Sequence, residues 1–152
     1  TLIITGLSFC SRPKNCPETR FSSDCQFQQC ERTCLMNQVP SPQIPDQTFI
    51  ITTIQSFIEP LLLNSLKYQK KEIIFITTVC PYAIETFTRF SKMFNIKGIA
   101  FPLEGGICNQ WKSFTLAERG IKKGITHIDE KNSKILLNLL NIRSNFLFKN
   151  RT

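Results

Sequence analysis

The chain is poor in imidazole, in glycine and in acid. Its 152 residues include one histidine, His127, so chemistry built on an imidazole base has a single candidate. None of its six glycines falls in a G-x-G-x-x-G or Walker pattern. The turn after the apolar run Ile73-Ile74-Phe75-Ile76 reads Thr77-Thr78-Val79-Cys80-Pro81-Tyr82-Ala83, without glycine or lysine. Common phosphate-cradling loops are therefore absent. Glu59, Glu72, Glu85 and Glu118 make no acid/base pair visible in the sequence. No apolar run approaches the ~20 residues of a membrane span. The best stretch, 54–63, is broken by Gln55, Glu59 and Pro60. The chain opens at Thr1 with no presequence pattern, which predicts that any processed segment is already gone or was never there.

What is present is globular and basic. Apolar residues make up 41%, enough for one domain with a real core. Nineteen basic residues against eleven acidic give a net charge of +8. From Arg119 to Arg151 the basic residues face only Asp129 and Glu130. Such a balance suits a polyanion, nucleic acid first and an anionic membrane second; the bland alternative is solubility alone. Thirteen phenylalanines with abundant Ile, Lys and Asn are what an AT-rich gene encodes. Many mitochondrial genomes are AT-rich, so the expected location is the mitochondrion.

Residues 72–111 organise the chain. Ile73 to Ile76 is too short for a helix and rich in β-branched residues, which predicts a buried strand. Pro81 fits the first position of a helix, where its missing N–H costs nothing. Ala83, Ile84, Phe87, Phe90 and Phe94 recur at helical spacing, and Asn95 stops the helix. Ile96 to Phe101 predicts a second strand. Strand, helix and strand with short joints make a βαβ unit, hence a parallel sheet covered by helices. The stretch closes on Glu104-Gly105-Gly106-Ile107-Cys108-Asn109-Gln110-Trp111, with the only tryptophan. Gly105-Gly106 reads as a tight turn.

Before this, Leu2 to Phe9 predicts a short strand or docking arm. Residues 10–47 show no periodicity and hold Cys10, Cys16, Cys25, Cys30 and Cys34, then Pro40, Pro42 and Pro45. A loop this long needs a staple or a partner. Four of the five thiolates would hold zinc tetrahedrally. In an oxidising compartment they would instead form disulfides, and otherwise they stay thiols. A helix from about 54 to Lys70 carries Ile54, Phe57, Ile58, Leu61, Leu62 and Leu66, with Pro60 expected in its first turn. A helical piece runs from Ser113 to Arg119. Ile125 to Ile128 predicts a third parallel strand, Asn132 or Ser133 the cap of the next helix, and Phe146-Leu147-Phe148 a fourth strand. The architecture expected is an α/β, flavodoxin-like (Rossmann-like), mostly parallel sheet over residues 49–152, preceded by a Cys- and Pro-rich irregular extension over 1–48.

These motifs, in this order, resemble the universal small-subunit ribosomal protein S-two family. Gly105, Gly106, Trp111 and Gln110 resemble its R-W-L-G-G-x-L-T-N-W motif. Gly6-Leu7-Ser8-Phe9 resembles its G-V-H-F-G-H start, and Phe49-Ile50-Ile51 its H-I-I-N-L strand. Thr126-His127-Ile128-Asp129 resembles F-V-I-D, and Leu139 to Phe148 resembles N-L-G-I-P-V-F-A-I. The similarity spans roughly residues 49–149 and implies a structural, rRNA-binding constituent of a small ribosomal subunit of organellar, mitochondrial type. There are departures. The family's Arg and Trp before the Gly-Gly are Pro102 and Leu103 here, and its basic residues after the first strand are Val79 to Tyr82. About a dozen residues follow Trp111 where bacterial members have a protruding helical hairpin. Bacterial members lack the cysteine cluster. The family's last strand and helix have no counterpart, which predicts a separate chain docking on the open edge of 145–149.

The candidate RNA contacts are Trp111 and Lys112, then Arg119, Lys122 and Lys123, and at the end Lys149 and Arg151. Trp111 is either core or a stacking surface, and the lysines either neutralise phosphates or form a solvated face. The competing reading is a small Rossmann-like enzyme. Cys80 at a strand-to-helix turn should have its thiol pKa lowered by the helix N-terminus, with His127 as partner. Asp129 would hold a ribose or cap the following helix. A zinc-stabilised interaction module is the third reading.

Overall fold

The computed structural model describes residues 1–26, 30, 34–39 and 48–149, with side chains up to 142. The chain is an α/β protein with a four-stranded, all-parallel sheet in the order β2-β1-β3-β4, as in flavodoxin-like folds. The strands are β1 (Leu2–Ser8), β2 (Thr48–Ile51), β3 (Ile73–Val79) and β4 (Lys97–Pro102). β1 pairs with β2 from Thr5↔Thr48 to Ser8↔Ile51, and with β3 from Leu2↔Ile73 to Gly6↔Thr77. β3 pairs with β4 from Ile74↔Lys97 to Val79↔Pro102.

Alternation along these strands makes two cores. One face carries Leu2, Ile4, Ile51, Phe75 and Val79 beneath helices α2 (Gln55–Lys67) and α3 (Pro81–Phe94). The other carries Leu7, Ile50, Ile76 and Phe101. It is covered by α1 (Leu35–Gln38), α4 (Trp111–Ala117) and α5 (Glu130–Lys149), through Met36, Phe114, Leu136 and Leu140. Helices on both faces leave the strands apolar on both sides, which is why they read as continuous apolar runs.

The βαβ unit forms as its residues dictate. Pro81 opens α3, and Asn95 ends it in the left-handed conformation at φ 50°. The face bearing Ala83, Phe87 and Phe90 is buried.

Several expectations are corrected. Residues 2–8 are not an arm or part of an extension: β1 lies inside the sheet, between β2 and β3. An isolated apolar run fits either role, and only its pairing with β3 decides. Pro60 lies in the second turn of α2 rather than the first. The missing ladder bond there is partly offset by a reciprocal cap, in which Ser56 N–H donates to Thr53 Oγ1 and Thr53 N–H to Ser56 Oγ, each at 3.1 Å.

Residues 126–127 are no third parallel strand. β5 (Glu104–Gly105) and β6 (Thr126–His127) form a two-residue antiparallel rung off the main sheet. Asp129 then caps α5 at once, accepting from the Asn132 N–H at 3.0 Å, so Asn132 and Ser133 are not the cap. That bond also holds the Asp129 carboxyl below the ordinary range.

Residues 146–148 lie in α5, not in a strand. Between 130 and 149 there is no glycine or proline to end the helix. With no strand there, the edge on which a separate chain was expected to dock does not exist. Of the two edge strands, β2 and β4, β4 is open to solvent from Lys97 to Ala100. Among the described residues, no helix is long and apolar enough to cross a membrane.

Candidate nucleic-acid interface

The carboxyl ends of the strands carry an aromatic shelf. Trp111, at the start of α4, is 64% exposed. Its ring lies 5.3 Å from Phe114 and 6.2 Å from Tyr82, and Tyr82 stacks on Phe114 at 5.7 Å. Phe114 is buried, so the shelf is anchored below and open above. Trp111 is thus a surface ring rather than a core residue. Tyr82 is the shelf member the sequence did not disclose, because it comes from the first turn of α3 and meets Trp111 only in space.

Cations border this shelf in the chain. Lys112, Arg119 and Lys123 are exposed. Lys122 is not: its Nζ turns inward to Cys108 Sγ at 3.2 Å. Lys149 closes α5, with its side chain outside the described ones, and Arg151 lies outside the described residues.

The loop that presents Lys122 and Lys123 is braced from below. Arg20 donates to the carbonyls of Cys10, Arg12, Lys122 and Gly124. Burial holds its guanidinium pKa below the usual value. Arg12, 1% exposed, donates to the carbonyls of Thr19, Arg20, Ser22 and Asp24. Both arginines count towards the net charge, yet both are committed to backbone. The Gly-Gly turn joins the same assembly. Gly105 adopts φ 78°, and a Cβ on Gly106 would meet the Gly124 Cα at 2.7 Å. It is a crossing of two backbones and not a phosphate cradle. Glu118, at the end of α4, accepts from the Ile54 N–H at 3.1 Å and so ties α4 to the start of α2. Burial raises its carboxyl pKa, and the Ile54 bond opposes that.

Under the shelf, a cavity of about 40 Å³ sits between the ends of β1 and β3. This is the crevice where parallel sheets of this order bind ligands. Cys10, Cys80 and Cys108 line it, with Lys122 and Glu118. The expectation that the helix N-terminus lowers the Cys80 thiol is overturned. Burial pushes Cys80 up and outweighs the N–H groups of Ala83 and Tyr82. Burial likewise pushes Cys10 up, against the Ser8 hydroxyl. His127 does not line this cavity; it is exposed on β6, 4.0 Å from Glu104. The Cys80–His127 dyad is not assembled.

A titration tests this burial. A thiol whose folded pKa exceeds its unfolded value keeps its proton longer in the native state. Stability should therefore fall as pH rises past the ordinary thiol range near about 8.5. The urea midpoint should drop between neutral and alkaline buffer, and Cys10→Ala with Cys80→Ala should flatten that limb. A midpoint that holds steady in the unmodified chain would show that these thiols are not buried.

The remaining cysteines separate from Cys10. Cys16, Cys25, Cys30 and Cys34 line one cavity of about 10 Å³, beside Arg12. None of the seven cysteines forms a disulfide. Among the described residues, no three ligating side chains meet as a ready-made metal set.

No family model, curated protein or solved structure matches this chain.

Proposed function

We propose that this chain is a structural, RNA-binding constituent of the small subunit of a mitochondrial ribosome, and that it is not an enzyme. The carrying observation is the open aromatic shelf at Trp111, flanked in the chain by Lys112, Arg119 and Lys123 on a protein of net charge +8. A splayed base stacks on such a ring, and lysines beside it neutralise phosphates without reading sequence. The resemblance at Gly105, Gly106, Gln110 and Trp111 supports the same reading and implies small-subunit rRNA as the polyanion; the motifs read as strands at 126–129 and 146–148 do not carry it, since a two-residue rung and α5 stand there. Neighbouring ribosomal proteins are the other partners in this reading.

The enzyme reading has one observation in its favour, the cavity at the strand ends lined by three thiols. Against it, burial keeps Cys10 and Cys80 protonated at neutral pH, where a thiol is a poor nucleophile. Turnover of an electrophilic substrate by the isolated chain, lost in Cys80→Ser, would favour it.

The test of the RNA reading is binding to structured small-subunit RNA as salt is varied. The logarithm of the binding constant should fall linearly with the logarithm of salt concentration. Lys123→Ala should reduce that slope by about one, as for a lost phosphate contact. Trp111→Ala should cost about 1–3 kcal/mol with the slope unchanged, as for a lost base stack. Affinity that stays flat between about 50 and 200 mM salt would sink the proposal.

A further inference from the structure

We propose that Cys16, Cys25, Cys30 and Cys34 form a zinc site, with Arg12 as its buried counter-cation. The inference does not rest on the RNA reading. Two independent observations carry it.

The first is the sorting of the thiols. Five cysteines lie between residues 10 and 34, and the fold sends Cys10 to the cavity at the end of β1. The other four line a single cavity of about 10 Å³. That volume is near the lower limit for one water, which matches a single ion and no organic ligand. A set of four sulfur donors suits zinc, which takes tetrahedral thiolate coordination and needs no fifth ligand in a structural site.

The second is the charge of Arg12. Its side chain lines the same cavity and is 1% exposed. No ion pair reaches it among the described residues, and its Nε is buried without an acceptor. Glu18 lines the cavity too and accepts from Gln26, but its carboxylate makes no ion pair with Arg12. A buried cation without an anion is costly. Four thiolates around a divalent cation carry a net charge of about −2, which supplies that anion, and the free Nε–H is a donor for a thiolate sulfur.

The four thiols line the cavity without closing on one point. Zinc–sulfur bonds of about 2.3 Å require them to turn inward. Binding that orders its own ligands is usual for structural zinc, whose binding energy becomes folding energy. The site would hold together Cys16, Cys25, Cys30 and Cys34, which come from a stretch without sequence periodicity.

The experiment uses the full chain, reduced and stripped with a chelator, then titrated with cobalt(II) and afterwards with zinc(II). One cobalt per chain should bind, with thiolate charge-transfer and tetrahedral absorption bands, and zinc should displace it. Cys16→Ser and Cys34→Ser should each abolish the bands. Cys10→Ser, Cys80→Ser and Cys108→Ser should leave them. Arg12→Gln should weaken binding about 10–100-fold, as loss of an outer partner does. Because Arg12→Gln also loosens the loop, the cysteine variants decide the matter if it fails to fold. Substoichiometric binding, bands that survive both Cys16→Ser and Cys34→Ser, or disulfides among the four in the chain as isolated would each overturn the site.

Discussion

Replacing Phe57 by alanine should destabilise the fold by about 3–5 kcal/mol, the range for deleting a fully enclosed phenylalanine. Phe57 is 0% exposed and sits where α2 meets the sheet. Its ring lies 6.4 Å from Phe49, 6.2 Å from Phe75 and 5.9 Å from Phe87. The sheet makes room for it at Gly6, where a Cβ would come within 2.7 Å of the ring. That fit is why the cavity left by alanine cannot close: the strand beneath has no side chain to move into it, and the flanking rings are held by α3 and β3. Urea unfolding should show a lower midpoint at constant slope. Gly6→Ala should be destabilising for the converse reason, by overpacking of about 1–3 kcal/mol. A loss below about 1 kcal/mol for Phe57→Ala would mean that α2 is not seated on the sheet as described.

The residues around Phe57 show what the sequence made legible. The apolar spacing points to Ile54, Phe57, Ile58, Leu61, Leu62 and Leu66 on α2 and to Ala83, Ile84, Phe87, Phe90 and Phe94 on α3; Phe57, Leu61, Ala83, Phe87 and Phe90 are buried, whereas Leu66, Ile84 and Phe94 are exposed. The βαβ unit from Ile73 to Phe101 was readable because its signals are local: a β-branched run, a proline at the first helical position, an asparagine at the last. The errors fall where the deciding fact is long-range. β1 is central because it pairs with β3, about seventy residues on in sequence, as the Ser8 N–H to Thr78 Oγ1 bond shows at a separation of 70. Phe146 to Phe148 read as a two-faced strand, but with no glycine or proline from Glu130 onward to end α5 the helix runs through them. Thr126–His127 resembled a strand of the main sheet and proved to be a rung against Glu104–Gly105.

The candidate interface divides in the same way. Position alone marks Trp111, Lys112, Arg119, Lys122 and Lys123 as candidates, with Trp111 open between core and stacking surface; of these, Lys122 is the one that is not exposed. Tyr82 and Glu118 could not, since each acts through a contact made across the fold. Charge counting failed most clearly at Arg12, Arg20 and Lys122. A sequence counts a cation without showing whether its donors face solvent or carbonyls.

Arg12→Met should cost about 3–5 kcal/mol, the range for stripping a buried charged partner from the groups it satisfies. Four backbone carbonyls lose their donor at once: those of Thr19, Arg20, Ser22 and Asp24. Methionine fills the volume and donates nothing. Arg20→Gln should cost less, about 1–3 kcal/mol, because Arg20 is only partly buried and water can replace some of its bonds. The two arginines brace each other: Arg12 Nη1 donates to the Arg20 carbonyl at 3.3 Å, and Arg20 Nε to the Arg12 carbonyl at 3.0 Å. Once either is removed, the loop that the other holds is already loosened. The double variant should therefore cost less than the sum of the singles, with a coupling of about 0.5–3 kcal/mol. The consequence reaches the shelf, because Arg20 also holds the carbonyls of Lys122 and Gly124. In Arg20→Gln the salt slope of RNA binding should survive while affinity falls, since Lys123 keeps its charge and loses its fixed position. Strictly additive costs in the cycle would show that the two arginines do not brace each other, and a slope reduced as far as in Lys123→Ala would show that Arg20 touches phosphate itself instead of bracing the loop that presents the lysine.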